Sequence, residues 1–161
     1  MSATITTPAL KEGMLFGAVL GVSLILLHWL SLPGTAGMLL LLSLALTLGV
    51  YLLAGLRAAR FTGDTGAGAI AGLMTALVSS TMGLLVDFAW VVIPQGQLAN
   101  MQSAINQALQ QAGVAVQVSQ GVLIGAIVIG LLVALLFSLL VGGLVGALGG
   151  SLGKRQYVAA R

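Results

Sequence analysis

The stretch GAGAIAGLMTALVSSTMGLLVDFAWVVI, residues 66–93, decides the fold. It is long enough to cross a hydrocarbon core of about 30 Å as a helix, and among the apolar runs of the chain it alone encloses a carboxylate, Asp87. Read at about 100° per residue, Gly68, Gly72, Thr75, Ser79, Gly83, Asp87 and Trp90 recur at steps of three or four and fall on one arc about 120° wide. Leu, Val, Met and Phe occupy the opposite arc. Such a division predicts a helix with one face for close neighbours and another for lipid.

The rest of the chain has the same character. Of its 161 residues 59% are hydrophobic and 6% charged, with a mean hydropathy of +1.15. A soluble domain carries roughly a quarter of its residues as charges, so the composition predicts an integral membrane protein. There is no cysteine, which excludes disulfides and thiolate chemistry. The net charge of +3 does not point to nucleic acid, because the basic residues flank apolar runs and report topology instead.

Four runs have the length of a membrane helix: about 13–32, 37–56, 66–93 and 121–150. Residues 1–10 read as a loose leader, and the apolar region that follows is too long for a cleaved signal peptide. Ser31-Leu32-Pro33-Gly34-Thr35 reads as a turn, and Pro94 as the stop of the third helix. Arg57, Arg60 and Asp64, with Gly63 and Gly66, read as the loop before that helix, and residues 151–161 as a tail. Between 94 and 120 the chain is uncharged and rich in Gln, Asn, Ser and Ala. There Leu98, Met101, Ile105, Leu109 and Ala112 keep helical spacing, which predicts a short amphipathic helix over about 97–112, with Gly113 as its stop.

All six basic residues, Lys11, Arg57, Arg60, Lys154, Arg155 and Arg161, fall before helix 1, between helices 2 and 3, or after helix 4. By the positive-inside rule both termini are cytoplasmic, in a plasma (inner) membrane, and the 94–120 segment faces out. Trp29 and Trp90 then stand near the outer ends of helices 1 and 3, as interface anchors do.

Glycines recur at four-residue steps as Gly13, Gly17 and Gly21 in helix 1, Gly68 and Gly72 in helix 3, and Gly142, Gly146 and Gly150 in helix 4. In lipid, helices associate through close backbone approach rather than through burial of apolar surface. All three sets lie in the cytoplasmic half of the expected topology, so the helices should be tightest there.

Few residues bear chemistry. His28 and Asp87 stand at similar distances from Pro33 and Pro94, differing in depth by roughly 3 Å. With Thr75 and Ser79 they form the candidate polar site, since an intramembrane carboxylate is costly and marks a functional hypothesis. Hydroxyls such as Thr75, Ser79, Ser80 and Thr81 more often bond a backbone carbonyl or a neighbouring helix. A lone histidine lacks the second ligand and attachment motif of a haem site. No catalytic set, metal-binding spacing or phosphate loop is present, so neither cofactor nor metal is expected.

The expectation is an all-α, integral membrane four-helix bundle with a short amphipathic helix in the outer loop between helices 3 and 4. It looks like the short, glycine-rich four-helix membrane proteins of bacteria, with no motif that carries a residue's role across. It is expected to be non-enzymatic, an accessory or scaffolding subunit in the lipid bilayer whose glycine faces pack among themselves, against a protein partner or in a homo-oligomer. The alternative is a small transporter or channel subunit handling protons or cations through Asp87 and His28.

Overall fold

The structure is a computed structural model that describes residues 3–29, 36–92 and 96–159. The expected turn at 31–35 and the stop at Pro94 lie outside these. The described residues form five α-helices and no strand: α1 (Ala3–Trp29), α2 (Ala36–Thr62), α3 (Thr65–Val92), α4 (Gln97–Gln111) and α5 (Gln120–Ala159). Helices α1, α2, α3 and α5 are each long and apolar enough to cross a membrane.

Three helices run further than hydropathy indicates. Helix α1 starts at Ala3 rather than near Gly13 and carries Pro8 inside it. The missing proline N–H costs a helical hydrogen bond, yet the turn is held because Ala9 is fully buried with Ala54, Ala58, Ala67 and Ala71. Helix α2 continues past Leu56 to Thr62, so Arg57 and Arg60 are helical and not loop residues. Its end is set by Gly63, whose φ of +70° suits glycine and whose N–H donates to the Ala59 carbonyl at 2.8 Å. Asp64 Oδ1 then accepts the Gly66 N–H at 3.0 Å and caps α3. Helix α5 runs through the expected tail to Ala159. Its 40 residues span about 60 Å, twice a hydrocarbon core. A polar helix end persists where tertiary contacts hold it, which apolar run length does not report.

The chain divides into two compact units. Unit 1 comprises residues 1–83 and 135–161 and so contains α1, α2, most of α3 and the larger, C-terminal part of α5. Its interior holds the alanine cluster and, further along, Leu20, Tyr51 and Ala76, with Leu24, Leu46, Val50, Leu139, Val141 and Val145 against them.

Unit 2 is residues 84–134. In it α4 closes on a paired C-terminal motif: Gly113 N–H donates to Gln110 O at 3.0 Å and Val114 N–H to Leu109 O at 2.9 Å, with Gly113 at φ +74°. The link to α5 is fastened to α4 by Asn106, whose Oδ1 accepts the Val118 N–H at 2.8 Å, and by Gln102, whose Nε2 donates to Val118 O at 3.0 Å. Leu98 and Leu123 are its buried apolar side chains.

Candidate functional site

Unit 1 is built on glycine. A methyl group placed on Gly13 would lie 2.6 Å from Met74 Cβ and 2.8 Å from the Ala71 carbonyl oxygen; on Gly17, 2.7 Å from Val78 Cβ and 3.0 Å from the Thr75 carbonyl oxygen; on Gly21, 2.8 Å from Met82 Sδ. Helix α1 thus lies on α3 along this row. The opposite contact of α3 is closer still, because both partners lack a Cβ. Gly68 faces Gly146 and Gly150, while Gly72 faces the Gly142 carbonyl and Gly146 Cα. Helix α2 reaches α5 in the same manner, with Gly55 against the Gly146 carbonyl and Gly149 and Gly153 against the Leu52 and Leu56 carbonyls. Gly55 has no glycine four residues away, and Gly149 and Gly153, though four apart, straddle the expected helix end at 150, so the four-residue rows of the expected helices did not include them.

Hydroxyls complete this junction. Thr75 is fully buried, and its Oγ1 donates to Ala71 O at 2.8 Å within α3 and approaches the Gly13 carbonyl of α1 at 3.2 Å. Ser79 is buried and donates to Ala76 O at 3.3 Å. Ser80 Oγ donates to Ser138 Oγ at 2.7 Å, and Ser138 also bonds the buried Tyr51 hydroxyl at 2.9 Å. This chain of three hydroxyls joins α3, α5 and α2. Tyr51 and Ser138 each stand alone in apolar sequence, and no local pattern pairs two residues 87 positions apart.

Ser138 is the shared member, which separates the effects of two conservative changes. Tyr51→Phe removes one bond, whereas Ser138→Ala removes the partner of both other hydroxyls. Bonds of this type in membranes average about 0.6 kcal/mol. Thermal unfolding in mild detergent should therefore show Ser138→Ala as the more destabilised variant, by roughly that amount over Tyr51→Phe, and non-additivity in the double variant. Equal small effects that simply add would mean the three hydroxyls do not act as a chain.

Charges gather at one end of unit 1. Arg57 Nε stands 3.3 Å from Glu12 Oε2, joining α2 to α1. The glutamate side chain is 17% exposed and this oxygen accepts no hydrogen bond, so the contact is a charge pairing without aligned geometry. With Arg57 55% exposed, it adds at most about 1 kcal/mol. Arg60 Nε donates to Gln156 Oε1 of α5, and Tyr157 packs its ring against Gly63. Lys11 precedes Glu12, and Lys154 and Arg155 precede Gln156, so all five described basic residues share this end.

The side chains of His28, Asp87 and Trp90 lie outside the described residues, and with them the expected pairing of His28 and Asp87. Their backbones belong to α1 and α3. Trp29 is 68% exposed. Among the described residues no three His, Asp or Glu side chains cluster as metal ligands. Comparison of the chain with models of protein families, with curated proteins and with solved structures finds no match.

Proposed function

We propose that the chain is a non-enzymatic, multi-pass membrane protein, a four-helix bundle acting as an accessory or scaffolding subunit. The observation that carries this reading is the junction of unit 1, where α3 meets α5 backbone to backbone at Gly68, Gly72, Gly142, Gly146 and Gly150. A solute path along that contact would need the helices to part. The hydroxyls of Thr75 and Ser79, read as part of a candidate polar site, are engaged with backbone carbonyls, and Ser80 is bonded to Ser138. Polar groups used in this way stabilise helix contacts.

The basic end of unit 1 supports an orientation with both termini cytoplasmic, in an inner membrane. On that orientation α4, whose sequence places Leu98, Met101, Ile105 and Leu109 on one face, lies at the outer surface as an interfacial helix. A protein partner or a second copy would meet the outer surfaces of the helices. Gly121 and Gly125, four apart on α5 with no atom within 4 Å of a built Cβ, suit the close approach of a partner helix.

Reconstituted vesicles test the reading. With a pH gradient imposed, vesicles carrying the wild-type chain should leak protons no faster than empty ones. A wild-type flux that Asp87→Asn abolishes would sink the scaffold and establish proton handling instead. In mild detergent a protein subunit should copurify in fixed ratio, and Gly125→Leu should release it without altering the melting temperature.

A further inference from the structure

We propose that the basic end of unit 1 holds a site for one anionic phospholipid, its headgroup phosphate in a groove between α3 and α5 and an acyl chain along α5. The groove has a volume of about 400 Å³ and is lined by Thr65, Ser151, Lys154, Arg155 and Val158. Four of the five stand at i, i+3, i+4 and i+7 on α5 and so share one face. Thr65 forms the facing wall at the start of α3, held in place because a methyl on Gly150 would lie 2.7 Å from the Thr65 carbonyl oxygen.

Two cations without carboxylates define the ligand. Among the described residues the ion pair is Arg57 with Glu12, and neither Lys154 nor Arg155 has an acidic partner. Asp64 is the nearby acid, and it is turned onto the Gly66 N–H at 3.0 Å. That same bond takes one N–H of the first turn of α3 and places a carboxylate at its start, so the cations rather than the helix N-terminus supply the attraction for an anion. Ser151 donates its proton to Leu148 O at 2.7 Å, whereas the Thr65 hydroxyl is free to donate to a phosphate oxygen.

The surface leading from the groove distinguishes a lipid from free phosphate. Counting back from Arg155 and Ser151, the residues in line on α5 are Leu148, Leu144, Leu140 and Phe137, at steps of three or four. All are exposed, from 60% at Leu140 to 68% at Phe137. From Leu148 to Phe137 the helix rises about 16 Å, close to half of a hydrocarbon core of roughly 30 Å. A cationic groove opening onto an apolar track of one leaflet's depth matches a phospholipid: phosphate at the end, acyl chain below.

This proposal rests on the membrane reading above, and the experiment separates the two. The chain is reconstituted into vesicles of equal parts phosphatidylcholine and phosphatidylglycerol, recovered in mild detergent, and its retained lipid is identified by native mass spectrometry. Failure of the wild-type chain to float with vesicles would overturn the membrane reading itself. With insertion established, phosphatidylglycerol should be retained in preference to phosphatidylcholine, and Lys154→Gln with Arg155→Gln should lower that preference more than tenfold, at about fivefold per cation. Thr65→Leu and Ser151→Leu, which fill the groove and leave its charge, should also lower it. Arg60→Gln, at the same end but bonded to Gln156, should retain it. Equal retention of both lipids, or an equal loss in Arg60→Gln, would overturn the site in favour of general surface charge. Displacement of phosphatidylglycerol by inorganic phosphate would overturn the lipid as its ligand.

Discussion

Gly72→Leu should be strongly destabilised, with Gly72→Ala already impaired. The added Cβ would meet the Gly142 carbonyl and come within 2.8 Å of Gly146 Cα. Both belong to backbone, which cannot rotate away as a side-chain end can, so α3 and α5 must separate along their shared row. Overpacking of a tight interior costs about 1–3 kcal/mol and occasionally more, and the leucine should lie at or above the upper limit. For a chain of this length that is a fall of roughly 6–12 °C or more in melting temperature at about 2–4 °C per kcal/mol. Gly49→Ala is the contrast, because nothing lies within 4 Å of its built Cβ. That change should be neutral or stabilise α2 by up to about 1 kcal/mol through helix propensity. Leu41→Ile, at an exposed position of α2, should be tolerated. Equal melting temperatures for Gly72→Leu and Gly49→Ala in detergent would remove the glycine junction as the source of stability.

Labelling of single cysteines should give an all-or-none pattern. The chain has no cysteine, so each introduced thiol reports alone. Ala108, exposed on α4, and Ser151, exposed on α5, are the positions to compare. Ala108→Cys should react with an impermeant thiol reagent added to intact cells, and Ser151→Cys only after the membrane is opened. The expectation follows from the basic residues of unit 1, which favour the cytoplasmic side. Reversed labelling would invert the orientation and move the lipid site to the other leaflet.

The sequence by itself determined the class. Four apolar runs, scarce charge and glycine at four-residue intervals follow from composition and periodicity, and the helical state of such runs is dictated by the need to satisfy every backbone group internally in lipid. Where the helices end was not legible in this way. Hydropathy falls at Leu56 and at Gly150, yet α2 and α5 continue to Thr62 and Ala159, because Ala58, Ala59 and Gly153 are buried there and Arg60 meets Gln156. The start of α1 was hidden for the same reason, in the burial of Ala9 against alanines of α2 and α3. Spacing marked Gly72 and Gly146 as small but could not say that they face each other, nor that Gly55, Gly149 and Gly153 form the second row. The linking of Tyr51, Ser138 and Ser80, and the groove between Thr65 and Arg155, were decided only by tertiary structure. Periodicity reports which residues share a face of one helix; which face meets which is set by backbone approach between helices distant in sequence.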